Sequence, residues 1–342
     1  MSIKRIGVWQ TAFLGDAVLT LPLLQNLAGS FPDSKIYYFV RKGLKSVFEP
    51  NARYRVVEFD KYGRDRGFRG ISGMVTRIRK LDFDLWLSPH TSLRSAIISG
   101  LGGAETRIGY NHPWHNRAAF TKTVSRRFHE LDEIERILEL LNPLNSGARD
   151  TWPFIELSGD SRRKAGDFWA KNIPGKTLGI HPGSTWPTKM WPEQYFAGII
   201  NMARELPETR VIIFAGPGEE EIVRNITSRI PDTKHVINLA GKLNLPDLAA
   251  YLSRLDCFLT NDSGPMHLAW PQGVPIVAMF GPTTRNLGFF PRGKKSTVLE
   301  TDLRCRPCGL HGHKSCPEKN HQCMKDILPE TVMASIKENL HA

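Results

Sequence analysis

The chain has 342 residues, of which 41% are hydrophobic and 23% charged, an ordinary globular mixture long enough for two domains. Lys and Arg outnumber Asp and Glu by 46 to 34, with a net charge of +8 over residues 1–155 and +4 beyond. This excess favours an anionic partner for the first half, although it also serves solubility. The sequence contains no apolar run of eighteen residues and no signal-peptide pattern, so we expect a cytoplasmic protein without a membrane span.

Strand-like and helix-like segments alternate through the first half. Short β-favouring segments predict strands, and apolar residues at helical spacing predict the helices between them. The predicted strands cover residues 3–10, 35–40, 55–59, 84–87 and 106–109, and the predicted helices cover residues 16–27, 73–81, 93–101 and 130–141. Turn residues then accumulate over residues 142–159, at Pro143, Gly147, Pro153 and Gly159, and we place the domain boundary there.

The first predicted strand runs into the sequence TAFLGD, residues 11–16, which allows two interpretations of Asp16. As a helix cap this carboxylate needs no further explanation, and the spacing alone favours that interpretation. At the carboxyl end of a strand it is also placed to accept a proton from a hydroxyl, as a general base does.

A glycine-rich basic loop, KYGRDRGFRG, follows the third predicted strand and carries Arg64, Arg66 and Arg69. Arginine clusters bind phosphates or carboxylates through paired hydrogen bonds, which suits an anionic acceptor. The alternative is a flexible surface loop, and charge alone does not decide between the two.

The second half repeats the alternation. The predicted strands cover residues 177–181, 210–215, 236–239, 256–260 and 274–280, and helices are predicted at residues 193–205, after residues 216–218, at residues 245–254 and at residues 329–340. Two parallel α/β sheets follow from this pattern. Right-handed crossovers would turn the loops at the strand carboxyl ends into a shared cleft.

Two loops of the second half carry polar side chains that suit a nucleotide. Ser184, Thr185 and Lys189 would give a diphosphate two hydroxyls and a positive charge, whereas the alternative is a solvated loop with one surface lysine. The acids of residues 219–221 would either favour a helix dipole or hold ribose hydroxyls.

The segment of residues 256–280 reads as a strand, a polar turn, a helix start and a second strand. A helix that begins at the carboxyl end of a parallel strand offers free N–H groups to an anion. Asp262, Ser263 and His267 would surround such a site. The alternative is an ordinary helix capped by Asp262 or Ser263.

Four of the five cysteines lie near the end of the chain, at Cys305, Cys308, Cys316 and Cys323. Their spacing is typical of a zinc or iron–sulfur site, so they are candidate ligands of a structural metal. The sequence lacks the GxxxxGK[ST], GxGxxG, GxSxG and HExxH motifs, which counts against several other nucleotide-binding and hydrolytic classes.

Together these segments resemble the lipopolysaccharide ADP-heptose heptosyltransferases of glycosyltransferase family 9, of the heptosyltransferase II-like kind. The resemblance rests on TAFLGDAVLTLPLLQNL, HPGSTWPTKMWP, GPGEEE and LTNDSGPMHLAWPQGVPIVAMFGPT, which occur in this order between residues 11 and 284. The last is the most specific, and the cysteine tail, residues 305–323, also resembles a tail seen in many members. Phe13 and Leu14 depart from the small polar residue that many members have before Leu-Gly-Asp.

The resemblance implies a GT-B fold, an α/β architecture of two Rossmann-like domains whose parallel sheets face each other across a cleft. Residues 1–155 would bind the acceptor, and residues 156–325 would bind the ADP-sugar donor. Residues 326–342 would form a helix that packs back on the N-terminal domain. Such enzymes invert the anomeric centre and require no cofactor for catalysis.

The resemblance also assigns roles to individual residues. Asp16 matches the family's catalytic base, Lys189 matches its donor-phosphate lysine, and Ser184 and Thr185 match the hydroxyl positions before that lysine. Glu219 is the best match for the acid that binds ribose. The donor motif D-[ST]-G-x-x-H matches Asp262, Ser263, Gly264 and His267. In this motif Asp262 would orient the donor sugar, the N–H groups of Ser263 and Gly264 would hold phosphate, and His267 would bind phosphate or orient the loop.

The implied reaction is transfer of L-glycero-D-manno-heptose from ADP-heptose to the inner core of lipopolysaccharide, with a Kdo- or heptose-bearing lipid A as acceptor. The implied location is the inner face of the cytoplasmic membrane, as a peripheral protein without a nucleic-acid partner. Two alternatives remain open, a GT-B nucleotide-sugar epimerase and a non-catalytic basic protein that binds anionic lipid or nucleic acid.

Overall fold

The computed structural model describes residues 3–146 and 149–341. The chain divides into two compact units, Met1–Glu156 and Leu157–Ala342. The predicted boundary between residues 155 and 156 lies one residue earlier. Gly147, which belongs to the predicted turn region, lies outside the described residues.

The first unit is built on a six-stranded parallel sheet with the strand order β3-β2-β1-β4-β5-β6. Its middle strands are almost wholly apolar, as expected for strands that are covered on both faces. The strands are β1 Arg5–Gln10, β2 Lys35–Arg41, β3 Tyr54–Phe59, β4 Leu85–Ser88, β5 Thr106–Tyr110 and β6 Lys122–Val124.

Helices connect these strands and close an aromatic core in which Trp9 and Trp86 lie 6.0 Å apart between ring centroids. Gly7 makes this packing possible, since a Cβ atom there would come within 2.2 Å of the Trp86 ring. The helices are α1 Leu14–Leu19, α2 Leu21–Ser30, α3 Lys45–Phe48, α4 Gly67–Leu81, α5 Leu93–Leu101, α6 His115–Ala119 and α7 Glu133–Leu138.

The second unit repeats this arrangement with the strand order β12-β11-β10-β7-β8-β9, again all parallel. The strands are β7 Lys176–His181, β8 Thr209–Ile213, β9 Val236–Asn238, β10 Cys257–Asn261, β11 Ile276–Phe280 and β12 Ser296–Glu300. The helices are α8 Gly159–Asn172, α9 Glu193–Ala203, α10 Glu220–Thr227, α11 Leu245–Leu252, α12 Gly264–Ala269, α13 Gln322–Lys325 and α14 Pro329–His341.

Both sheets therefore have the doubly wound Rossmann strand order, and the predicted α/β GT-B class is confirmed. In such sheets two neighbouring strands have connections that run to opposite sides of the sheet. This place is the switch point, and ligands bind beyond the carboxyl ends of these two strands. The two strands are β1 and β4 in the first unit and β7 and β10 in the second. The topology thus defines one edge of each sheet as the place to look for a site.

Several predicted helices differ from the structure at their ends. The predicted helix 16–27 is two helices, α1 and α2, because Pro22 suits a helix start but interrupts a continuing helix. α4 begins six residues before the predicted start, at Gly67, although its glycines are poor helix formers. Gly70 is required there, since a Cβ atom would lie 2.1 Å from the Asp65 backbone.

The predicted turn region also contains unpredicted structure. The predicted helix 130–141 ends at Leu138 and continues as a 3-10 helix, Glu139–Leu144, with Pro143 inside it. Gly159, expected to break the chain, is the first residue of α8, which Ser158 caps through a 3.1 Å bond from the Ser161 N–H group. The strands β6 and β12 and the helices α3, α6, α8 and α13 were not predicted.

The contacts described for the C-terminal helix lie within its own unit, and the expectation that it packs back on the N-terminal domain stays a prediction. The apolar face of α14 belongs to the core of the second unit, where it lies against α9, β10 and β11. Its buried side chains include Val332, Met333, Ile336 and Leu340. This packing covers the face of the second sheet that would otherwise expose Cys257 and Val277.

None of the helices in the described residues combines the length and the apolar composition that crossing a membrane requires.

Candidate functional site

Asp16 lies in the first turn of α1, at the switch point of the first sheet. Its Oδ2 atom accepts a 3.2 Å hydrogen bond from the Phe13 backbone N–H group, which is the bond expected of a capping residue. Burial, followed by the nearby negative charge of Glu133, raises the pKa of the Asp16 carboxyl to about 6, although the Phe13 N–H group and Arg126 act in the opposite direction. A half-buried carboxylate with a pKa near neutrality also has the property that a general base needs.

Two aromatic rings and two cations form a group near Asp16 that the sequence did not predict. The Arg41 guanidinium lies 5.4 Å from the Phe13 ring and 5.3 Å from the Tyr62 ring. The Lys61 ammonium lies 5.9 Å and 5.3 Å from the same two rings. Burial lowers the pKa of Lys61, as do Arg41 and Arg94, while Asp16 opposes the change. We call Phe13, Arg41, Lys61 and Tyr62 the cation–aromatic cluster.

The end of β4 contributes His90, a second residue that was missed. Its Nδ1 atom lies 2.9 Å from the Ser95 hydroxyl and 3.2 Å from the Thr11 hydroxyl, and Trp9 donates to the same Ser95 hydroxyl. Burial lowers the pKa of His90 to about 4, helped by the positive charges of Lys61, Arg94 and Arg126. His90 is therefore neutral at pH 7 and links the loops after β1 and β4. The only signal in the sequence was a histidine just beyond a predicted strand.

The predicted acceptor arginines lie between the end of β3 and the first turn of α4. Arg64 is paired with the buried Asp65, at 3.2 Å from Nε to Oδ1, and Asp65 also accepts a 2.7 Å bond from the Asp60 N–H group. Arg66 and Arg69 are exposed. The structure gives Arg64 a local partner, and the acceptor role of all three stays a prediction.

In the second unit, Lys189 and Asp262 form a buried ion pair beyond the ends of β7 and β10. Their side chains are only 11% and 8% exposed, and Lys189 Nζ donates to Asp262 Oδ2. The same carboxylate oxygen accepts a 2.7 Å bond from the Thr283 hydroxyl, which follows β11. Two residues predicted in separate loops are thus in direct contact, and Thr283 was missed.

Asn261, the last residue of β10, holds the loop that carries Lys189. Its Oδ1 atom accepts a 3.0 Å bond from the Trp191 N–H group, and its Nδ2 atom donates to the Pro182 carbonyl at 2.7 Å. One side chain therefore bonds to both ends of the loop 182–191. Within that loop, Ser184 accepts a 3.4 Å bond from the Trp186 N–H group, and Thr185 is exposed.

Glu219 is the one acid of the run 219–221 that reaches the end of β7. It lies 3.3 Å from His181 Nε2 and accepts a 2.7 Å bond from the Gly216 N–H group. Burial alone would raise the pKa of Glu219, but His181 and the Gly216 N–H group hold it below its usual value. Gly183 leaves room for this carboxylate, since a Cβ atom there would lie 2.1 Å from it. By contrast, Glu220 accepts a bond from its own loop, at Gly218.

His181, which was not predicted, connects Glu219 with the donor motif. Its Nδ1 atom lies 3.5 Å from the Ser263 hydroxyl, which also lies 3.1 Å from the Thr260 hydroxyl. Gly264 is the first residue of α12, where the early N–H groups have no acceptor within the helix itself.

His267 lies in the interior and carries no charge at pH 7. Burial lowers its pKa to about 4, Asp262 opposes this change, and Lys189 adds to it. Its Nδ1 atom accepts a 3.4 Å bond from the Trp270 indole. A neutral imidazole brings no positive charge to a phosphate, and the two predicted roles, binding phosphate and orienting the loop, both stay predictions.

The four cysteines of the tail differ in their surroundings. Cys305 is exposed, whereas Cys323 is buried and its sulfur would lie 3.1 Å from a Cβ atom at Gly281. Among the described residues, no group of three or more His, Cys, Asp or Glu side chains is arranged to hold a metal ion. The predicted structural metal site at these cysteines stays a prediction.

Comparison with known proteins gives consistent matches along the chain. Residues 72–321 match the model of glycosyltransferase family 9 (heptosyltransferase). Lipooligosaccharide heptosyltransferase 2 of Campylobacter jejuni is 36% identical over 340 residues, which covers 98% of each chain.

Two solved structures have the same fold over almost their whole length. A family 9 glycosyl transferase from Veillonella parvula superposes with a TM-score of 0.88 at 28% identity, covering 100% of this chain and 98% of that one. The E. coli ADP-heptose lps heptosyltransferase II superposes with a TM-score of 0.79 at 19% identity, covering 99% of both chains.

Proposed function

Since this chain belongs to glycosyltransferase family 9, the heptosyltransferases, we propose that it transfers L-glycero-D-manno-heptose from ADP-heptose to the inner core of a lipopolysaccharide. The names of its relatives support this substrate pair, because one is a lipooligosaccharide heptosyltransferase and another an ADP-heptose heptosyltransferase. The observation that carries the proposal is the environment of Asp16. That environment combines a raised pKa, a strand end at a sheet switch point and neighbouring cations.

Asp16 acts as the general base in this proposal. Its carboxylate takes the proton of an acceptor hydroxyl, whose oxygen then forms a bond to the anomeric carbon of the heptose. The bond from that carbon to the diphosphate oxygen breaks, and ADP leaves with the electron pair. Attack from the side opposite the leaving group inverts the configuration.

The second unit binds the donor through the predicted residues of its switch point. Lys189 faces the diphosphate while Asp262 fixes its ammonium, so positive charge is held where negative charge develops on ADP. Glu219 accepts hydrogen bonds from the ribose hydroxyls, and the first N–H groups of α12, at Ser263 and Gly264, bind phosphate oxygens.

The cation–aromatic cluster suits the acceptor. Sugar rings pack on aromatic faces, and the Arg41 and Lys61 charges complement a carboxylate or phosphate on the same sugar. Arg64, Arg66 and Arg69, which lie between β3 and the first turn of α4, add further exposed positive charge to this unit. The neighbouring helix position, Phe68, is 90% exposed, and Trp114 beyond β5 is 79% exposed.

These features support a peripheral location at the cytoplasmic face of the membrane, where lipid A carries the acceptor. Exposed aromatic rings settle at the level of lipid headgroups, and nearby basic side chains are attracted to anionic lipids. Phe68 and Trp114 both follow carboxyl ends of strands in the first sheet, the edge at which Asp16 also lies.

The test is ADP release from ADP-heptose by the purified protein under three conditions: with Kdo2-lipid A, with the same lipid carrying one heptose, and without acceptor. Release that depends on one acceptor supports the proposal and names the transfer step. Free sugar isomer formed without acceptor would instead indicate an epimerase. Equal, negligible release in all three, together with salt-sensitive nucleic-acid binding, would point to a non-catalytic binding protein.

A further inference from the structure

The cysteine tail contacts the loop that carries Lys189 at the residue just before it. The Thr188 hydroxyl accepts a 2.7 Å bond from the His313 N–H group and donates to the His313 carbonyl at 3.0 Å, and the Thr188 N–H group reaches the same carbonyl at 3.3 Å. The Thr188 carbonyl lies 2.7 Å from His321 Nε2. The backbone and the side chain of this buried residue are thus both bound by a segment more than 120 positions away in the chain.

Gly312 brings the tail into close packing with the same loop. A Cβ atom at this position would lie 2.6 Å from Trp186 Cβ, 2.9 Å from Thr188 Oγ1 and 3.1 Å from Lys189 Cγ. The Trp186 and His311 rings are parallel, with centroids 6.0 Å apart. Only glycine therefore fits at position 312, between the tail and the aliphatic part of the Lys189 side chain.

The start of the tail bonds to the other side of the ion pair. The Arg306 guanidinium is almost fully buried and donates to the carbonyls of Phe280, at 3.0 Å, and of Thr283, at 2.9 Å. Glu300 neutralises it at 2.8 Å. Thr283 is the residue whose hydroxyl donates to Asp262. The tail therefore reaches Lys189 through Thr188 and reaches Asp262 through Thr283.

We propose that the cysteine tail is a positioning element of the donor site, which holds Lys189 and Asp262 in the arrangement that receives the nucleotide diphosphate. Lysine has a long flexible side chain, so its contact with a carboxylate depends on how firmly both backbones are held. Fixing the pair before the ligand arrives removes an ordering cost from binding. The identity of the ligand as ADP rests on the proposed function, whereas the bracing contacts do not.

The first part of the test measures the mobility of residues 184–191 in the free protein by hydrogen–deuterium exchange. His321→Leu removes the donor to the Thr188 carbonyl, His321→Gln keeps a donor, and Gly312→Ala introduces the close contact described above. We expect faster exchange over residues 184–191 in His321→Leu and Gly312→Ala and near-normal exchange in His321→Gln. Lys314→Ala, an exposed position of the same tail, is the matched control.

The second part measures the affinity for ADP and the kinetic constants of the same variants. Losing one such hydrogen bond should weaken ADP binding and raise the donor KM about fivefold, with the acceptor KM unchanged. Normal exchange in His321→Leu and Gly312→Ala, or faster exchange with unaltered ADP affinity, would overturn the positioning role. The unmodified protein could also bind no ADP while exchange over residues 184–191 still responds to the variants. In that case the tail positions the loop as proposed, and the proposed donor is wrong.

Discussion

At the scale of single residues, opposing charges and burial decide what Asp16 can do. Its hydrogen bond to the Phe13 N–H group is that of an ordinary cap, and such bonds lower a carboxyl pKa. Burial and the Glu133 carboxylate outweigh this effect and bring the pKa to about 6. The two interpretations of Asp16 are therefore compatible, because the cap fixes the orientation of a carboxylate whose basicity its surroundings raise.

Asp16→Asn keeps the size of the side chain and a hydrogen-bond acceptor for Phe13, but removes the base. We expect kcat to fall by about 10²–10⁴-fold, the usual contribution of general base catalysis, with an unchanged affinity for ADP. Rate measurements under saturating donor and acceptor test this. Asp33→Asn, an exposed aspartate of the same unit, should retain full activity. If Asp16→Asn had a kcat close to that of the unmodified protein, another group would have to take the proton.

The dependence of kcat/KM on pH should show one acidic limb from Asp16. A base works only when deprotonated, so activity should fall as the pH drops below about 6 and level off above it. In Glu133→Gln, a negative charge that raises this pKa is lost and Arg126 loses its partner, so the limb should move to lower pH. A limb that stays in place, or moves upward, would show that another group controls it.

At the scale of elements, helix ends and glycine packing explain where prediction from the sequence succeeded and failed. α5 and the final helix were predicted almost to the residue, since apolar spacing is a local property. The early start of α4 was missed because Gly67 and Gly70 read as loop residues. Only the close approach of the Asp65 backbone shows why Gly70 is needed within a helix.

The position of α14 leads to a prediction about stability. Ile336 is fully buried in the core of the second unit, so Ile336→Ala should cost about 2–5 kcal/mol of that unit's unfolding free energy. Hydrogen exchange should rise in α9 and β10, which α14 covers, and chemical denaturation should begin earlier. Glu338→Ala, on the exposed side of the same helix, should change neither quantity. Exchange that rises in the first unit would support the expectation that this helix packs on the N-terminal domain.

At the scale of the whole molecule, charge is distributed unevenly along the chain. Residues 1–155 have the larger net charge, +8, and several of their cations are exposed or half-buried around the edge that carries Asp16. Lys189, the cation of the proposed donor site, is by contrast nearly covered and already paired. Exposed charges are screened by salt much more than buried ones.

This contrast predicts different salt effects on the two substrates. Raising the salt concentration from about 50 to 300 mM shortens the screening length from roughly 14 to 6 Å, so the KM for a lipid acceptor should rise several-fold. The KM for ADP-heptose should change much less. Initial rates measured with each substrate varied in turn give both constants. An acceptor KM that is insensitive to salt would argue against binding through the basic surface.

The sequence by itself determined the alternation of strands and helices, the parallel sheets and the motif residues Asp16, Lys189 and Asp262, because periodicity and turn chemistry act over a few neighbouring positions. Tertiary structure alone decided which partners these residues have. Arg41 ends β2, Lys61 and His90 follow β3 and β4, and His181, Thr283 and His313 come from three other parts of the chain. Residues so far apart in sequence meet only because parallel strands end at a common edge and because a glycine lets the tail approach. No local pattern encodes such contacts, so the burial, charge and support of the site had to be read from the fold.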